Sequence, residues 1–265
     1  MNRPQRTAGW ITAALIISHN LCAQTGIGSG LNLRADTSTN TVTLQELKHV
    51  VPKAARIEMD KADRARLKHR TDEEIDHLKK AVLIDPEYIA ARNNLGVRLL
   101  AIEPTSAIAQ WEAAIKVDPH KGMLFNNLAV GYTVTHNLKA AERAARTSIE
   151  LDGTSDRARA LLGLVLFEQR KYSAETSALL EGASEAYFFA HVFTAKVLLE
   201  RGEFQKARTH IQAYLSSSNT EHRAAAFEML DIIDHAGPRV VAESGSDSPP
   251  AQTNQVRRAF EGDGQ

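Results

Sequence analysis

The chain has 265 residues, of which 43% are hydrophobic, 6% aromatic and 24% charged, the balance of a folded soluble domain. Its 32 basic side chains are matched by 32 acidic ones and the pI is near 7.2. That argues against nucleic acid or an anionic membrane as the main partner, because both favour a surplus of Lys and Arg.

The first element is the opening "MNRPQRTAGWITAALIISHNLCAQTG". Arg3 and Arg6 precede an apolar run of ten residues, Ala8 to Ile17. That is short of the roughly 20 residues that span a bilayer but matches the core of a secretory signal peptide. Cleavage is expected after Ala23, with Gln24 as the alternative. The chain is therefore expected to be exported, to a periplasmic or secreted location. Cys22 is the only cysteine. The residues before it, His19, Asn20 and Leu21, do not fit lipoprotein processing. Membrane association would follow only if Cys22 were lipidated, which is not expected.

Residues 24–42 are rich in Gly, Ser, Thr and Asn and read as a flexible linker. In "TLQELKHVVP", Thr43 and Glu46 form a capping box that predicts a short helix to about Val50. Pro52 suits the start of the next helix. From Lys53 to Ala236 the chain is amphipathic helix broken by short turns, without sustained period-two alternation. Thr220 is expected to cap the last helix. Residues 237–265 are polar, with Gly, Ser and Pro, and are expected to form a disordered tail. The domain limits are thus 1–23, 24–42, 43–236 and 237–265.

The helical region repeats. "NNLG" begins at Asn93 and "NNLA" at Asn126, 33 residues later. Around them Leu95-Gly96, Leu99, Ala107, Trp111, Ala114 and Pro119 form one unit. Leu128-Ala129, Tyr132, Ala141, Ala145 and Ser148 form the next, closed by Gly153 in place of Pro. An earlier unit carries Ala62, Leu78, Ala81 and Pro86. A fourth carries Leu162-Gly163, Leu166 and Tyr172, and a fifth Ala195, Leu198, Gly202, Phe204, Ala207 and Ile211. The logic is close packing. A small residue in the first helix lets the second approach, a large side chain fills the gap between units, and Pro or Gly forces the turn.

The segments "NNLGVRLL", "QWEAAIKVDP", "NNLAVGYT" and "LLGLVLFEQRKYSAE" resemble the tetratricopeptide repeat (TPR) family over roughly residues 53–236. The stretch from Val51 to Tyr88 is similar to the opening of exported TPR proteins of Gram-negative bacteria. The resemblance implies an all-α, right-handed superhelical solenoid of about four to five helix–turn–helix repeats with a C-terminal capping helix. It also implies a concave groove lined by Met59, Asp63, Asn93, Val97, Leu100, Met123, Asn126, Val130, Thr133, Arg157, Leu164, Phe167, Phe189 and Val192. Asn94 and Asn127 sit next door. Side-chain amides there could pair with a peptide backbone, or serve packing between repeats. Asn93 and Asn126 are expected to be solvated in the free protein. The family's chaperone-tail clamp is broken, with Met59, Asp63 and Leu161 in its places.

Catalytic motifs are not legible: no Ser-His-Asp arrangement, no phosphate loop and no Cys-based metal site. Glu73 and His77 lie one helical turn apart, a spacing that could hold a metal, but acidic residues also suit a solvated helix start. The expectation is a non-enzymatic protein or peptide-binding scaffold without cofactor, metal or small-molecule substrate. The alternative is an accessory subunit of an envelope assembly, acting through its convex face or by self-association.

Overall fold

The computed structural model describes residues 49–218 and 222–236. The expected signal peptide, linker, Thr43 capping box, Thr220 cap and tail lie outside them. His49 and Val50 are not helical, so the short helix does not reach Val50. Pro52 disfavours helical backbone at Val51. His49 instead turns onto two carboxylates, with Nε2 2.8 Å from Asp85 and Nδ1 3.5 Å from Glu87.

Among the described residues the secondary structure is eleven helices. They are α1 (Lys53–Leu67), α2 (Thr71–Ile84), α3 (Ile89–Leu99), α4 (Pro104–Val117), α5 (Gly122–Val134), α6 (Leu138–Leu151), α7 (Asp156–Glu168), α8 (Ala174–Gly182), α9 (Phe189–Glu200), α10 (Phe204–Ser216) and α11 (Arg223–Ala236). The chain is an all-α helical-repeat solenoid that divides into two compact units, one ending at Leu161 and the other beginning at Leu162, inside α7. No helix among the described residues is long and apolar enough to cross a membrane.

In the first unit α1 packs on α2, α3 on α4 and α5 on α6, while α2 meets α3 and α4 meets α5. The expected small residues carry these contacts: Ala81, Ala107, Ala114, Ala129, Ala141, Ala145 and Ser148 are completely buried. Trp111 is also completely buried. It sits so close to Gly96 that a Cβ there would lie 2.6 Å from its Nε1. A Cβ on Gly131, one repeat on, would lie 2.8 Å from Ile108 Cγ1 and 3.0 Å from Trp111 Cζ3. The indole thus occupies room that two glycines leave open.

The turns repeat as faithfully as the helices. Between repeats, Asp85, Asp118 and Asp152 each accept the backbone N–H two residues on, at 3.1, 3.0 and 3.1 Å. Within repeats, α1, α5, α7 and α9 end in a left-handed residue: His69, His136, Arg170 and Gly202, with φ of 56°, 57°, 56° and 76°. The next N–H returns to a helix carbonyl, as from Asn137 to Tyr132 at 2.8 Å and from Lys171 to Leu166 at 2.9 Å. This is the Schellman arrangement. The turn after α3 is shorter. Glu103 donates to Leu99 O at 2.7 Å and Pro104 opens α4 directly.

A buried ion pair joins α2 to α3, where Arg98 Nε donates to Glu74 at 2.8 Å. Burial raises the Glu74 carboxyl, and Arg98 opposes that shift.

The second unit follows the same rule. A Cβ on Gly163 would lie 2.7 Å from Leu180 Cγ. Asn137 in the first unit and Ser173 here cap their helices with side-chain oxygens. α11 covers the last hairpin: Ala226, Met229 and Ile233 join Leu198, Ala207, Ile211 and Tyr214 in one core cluster. A terminal repeat needs such a cover, because no further repeat buries its apolar side.

Candidate functional site

Eight of the nine residues assigned to binding by sequence lie in the first unit: Asn93, Asn94 and Val97 on α3, Met123, Asn126, Asn127 and Val130 on α5, and Arg157 on α7. Asn93 and Val97 are four residues apart, as are Asn126 and Val130, so each pair shares a helix face. Asn126 is one turn beyond Met123 on the same face.

The polar groups are not equivalent. Asn127 is completely buried. It donates to Asn93 Oδ1 at 2.7 Å and accepts from Arg157 Nη2 at 3.2 Å. Asn93 donates weakly to Asn94 Oδ1 at 3.4 Å, and its backbone carbonyl accepts the Trp111 indole N–H at 3.3 Å. A ladder of side chains therefore runs from α7 through α5 to α3 and links consecutive repeats. Asn127 serves packing between repeats in this arrangement.

Asn93 is only 5% exposed and Asn126 2%. The expectation that both are solvated is corrected: α4 packs closely on both α3 and α5, where Gly96 and Gly131 make room for Trp111, and Asn93 is bonded to Asn127 of the next repeat. Val97, Val130 and Arg157 are also buried, while Asn94 and Met123 are half-buried. Asn126 differs from its neighbours. Its Oδ1 is buried and has no hydrogen-bond partner among the described residues.

Phe167 belongs to the second unit. It is buried against Phe193, with ring centroids 5.1 Å apart in an edge-on geometry, and against Tyr172 at 5.5 Å. Lys196 Nζ lies 5.4 Å from its centroid. Burial lowers the Lys196 ammonium below the usual lysine range.

Glu73 and His77 do not come together. Glu73 pairs with Arg70 at 3.2 Å, and His77 Nδ1 lies 2.7 Å from Glu58. Asp72, Glu73 and Glu74 fill the first turn of α2, where the helix dipole favours negative charge. Tyr132 was legible only as a packing residue. Its hydroxyl also donates to Glu112 at 2.6 Å, and burial together with that carboxylate pushes its pKa up to about 12.

No protein-family model and no curated protein matches the sequence. Solved structures do. Pseudomonas aeruginosa pilF is similar at 18% identity and a TM-score of 0.59, over 80% of this chain and 94% of that one. MamA from Desulfovibrio magneticus RS-1 matches at 14% and 0.57, over 63% and 96%. YrrB, described as a TPR protein with an unusual peptide-binding site, matches at 16% and 0.56, over 67% and 92%. Likeness at these identities establishes the fold.

Proposed function

Since the chain has the fold of the tetratricopeptide-repeat proteins, we propose that it is a non-enzymatic protein-interaction scaffold. It binds a peptide or partner helix on the face that carries Asn93, Asn94, Met123 and Asn126. One observation carries this reading: the unpartnered Oδ1 of buried Asn126. An unsatisfied buried acceptor costs about 1–3 kcal/mol. Its χ2 torsion is broad, so the amide can turn toward an incoming N–H. A peptide backbone supplies such a donor whatever its side chains, and Met123 on the same face offers an adaptable apolar seat. That YrrB is described as having a peptide-binding site agrees with this reading.

Selection from a random peptide library on the purified chain tests the proposal. Binders that cross-link to Asn94 or Met123, replaced one at a time by a photoreactive residue, support it. Binders that cross-link only to the opposite helices, α2, α4 and α6, overturn it in favour of an assembly subunit acting through its other face.

From Arg3, Arg6 and the apolar run that follows, export is proposed as well. N-terminal sequencing of protein from the native host then begins at Gln24 or Thr25. An intact Met1 in the cytosol overturns that.

A further inference from the structure

Asn93 and Asn126 hold the same place in consecutive repeats, each two residues before the Leu of Leu95-Gly96 or Leu128-Ala129. Their side chains are treated differently. The Asn93 oxygen is engaged at 2.7 Å by the amide of Asn127, whereas the Asn126 oxygen has no partner among the described residues. Asn127, which engages Asn93, stands one place before the Leu of its own repeat. The matching place one repeat on, just before Leu162-Gly163, holds Leu161.

We propose that Leu161 determines where the peptide binds. Standing where the preceding repeat has Asn127, it withholds the donor that would extend the ladder and leaves the Asn126 amide to a main-chain N–H of the ligand. Its role toward a ligand rests on the peptide-binding proposal, while its role in the ladder stands on the geometry alone.

The contacts of α7 set the register. Arg157, one helical turn before Leu161, donates from Nη2 to Asn127 Oδ1 at 3.2 Å, so this face of α7 lies toward the asparagines of α5. Leu161 is only 3% exposed, and its side chain has neither donor nor acceptor. At the other end of the ladder, Met59 stands three residues before Ala62, the place that Asn93 holds before Gly96. It offers no amide oxygen to Asn94, whose side chain is left with one weak contact at 3.4 Å, from Asn93. The Asn93–Asn127 rung is thus bounded by apolar residues on both sides. Asn94 keeps amide donors and Asn126 an amide acceptor, the complement of a peptide's C=O and N–H. The bond to Asn127 fixes the Asn93 amide. Turning the Asn126 amide about its broad χ2 torsion breaks no hydrogen bond of its oxygen.

The test is calorimetry on the full chain with one library-selected peptide, each of whose peptide nitrogens is methylated in turn. In the wild type, methylating one particular nitrogen should weaken binding about tenfold, the loss of one buried hydrogen bond. Leu161→Asn should bind the unmethylated peptide about tenfold more weakly, and that methylation should then have little further effect. Leu161→Met, apolar and close in volume, should restore both the affinity and the methylation profile. The ladder is tested without ligand by a double-mutant cycle in urea. Leu161→Asn should lower the folding equilibrium constant roughly two- to tenfold less with Asn126 present than in the Asn126→Ala background. Leu161→Gln, nearer to leucine in volume, takes its place in both experiments if Leu161→Asn does not fold. Additive effects in the cycle, or an amide variant at this position that binds peptide as tightly as the wild type, overturn the proposal. Coupling in the cycle with no peptide bound at Asn94 or Met123 overturns the peptide-binding reading, and with it the role of Leu161 toward a ligand.

Discussion

Asn127 donates its side-chain amide to the side-chain oxygen of Asn93 at 2.7 Å, across 34 residues of sequence, and both groups are buried. The separation is one repeat, so the bond ties a residue of α5 to its counterpart region on α3. Asn93→Ala leaves the Asn127 amide without its acceptor, and Asn127→Ala leaves both Asn93 and Arg157 short of a partner. Each change should cost about 1–3 kcal/mol, the usual penalty for an orphaned buried polar group. Urea denaturation followed by circular dichroism measures it. A loss below about 0.5 kcal/mol, the range of ordinary surface changes, would show that the ladder does not hold the repeats.

The packing of Trp111 gives a second test. Gly96→Leu should cost about 1–3 kcal/mol or more through overpacking, and Gly131→Ala should also destabilise. Because both glycines face one indole, their effects should be coupled. In a Trp111→Leu background the penalty of Gly96→Ala should shrink, and a double-mutant cycle reads the difference. Strictly additive effects would mean that the indole is not what the glycines accommodate.

The turns give a third. His136 holds a left-handed conformation at the end of α5, which costs a residue with a Cβ about 1–2 kcal/mol and glycine almost nothing. Glycine's larger entropy loss on folding offsets part of this. His136→Gly should therefore raise stability by about 0.5–1 kcal/mol, as should Arg170→Gly. Thermal melts check this, and a fall in melting temperature for both variants would contradict it.

How much of this was legible in the sequence differs from feature to feature. The helices and their pairing were, because Leu-Gly at 95–96 and 162–163 and Pro at 86 and 119 recur in register, and packing demands those residues at those places. The left-handed residues at 69, 136 and 170 were not, since His and Arg are poor markers of a conformation that Gly advertises. Burial of Asn93 and Asn126 also escaped notice. Asparagine reads as a surface residue until the packing of α4 on α3 and α5 is known, and Gly131, which with Gly96 makes room for Trp111 of α4, lies outside the Leu-Gly place. The pair of His191 on α9 and His210 on α10, with Nδ1 atoms 2.9 Å apart, joins residues of two helices with no motif to announce it.

The same pair makes stability depend on pH. Both imidazoles are held below the ordinary histidine value, chiefly by burial. The folded state therefore binds fewer protons than the unfolded one between the two pKa values. Their contribution is full above about 6.5 and is lost as pH falls through the folded pKa. The melting temperature of the wild type should fall more steeply on acidification than that of the double variant His191→Gln and His210→Gln. Parallel curves would show that burial does not disfavour the charged rings.

The central claim, that a peptide is held at the face of Asn126, is tested most directly by calorimetry of one library-selected peptide against three proteins: the wild type, Asn126→Ala and Glu142→Arg on α6. Asn93 is unsuitable for this purpose because its oxygen is already engaged by Asn127. Loss of a buried ligand hydrogen bond costs on the order of 1–3 kcal/mol. The account predicts affinity about tenfold weaker for Asn126→Ala, with an unchanged circular dichroism spectrum, and undiminished affinity for Glu142→Arg. Unchanged affinity for Asn126→Ala, together with abolished binding for Glu142→Arg, would contradict it and move the binding surface to the opposite helices.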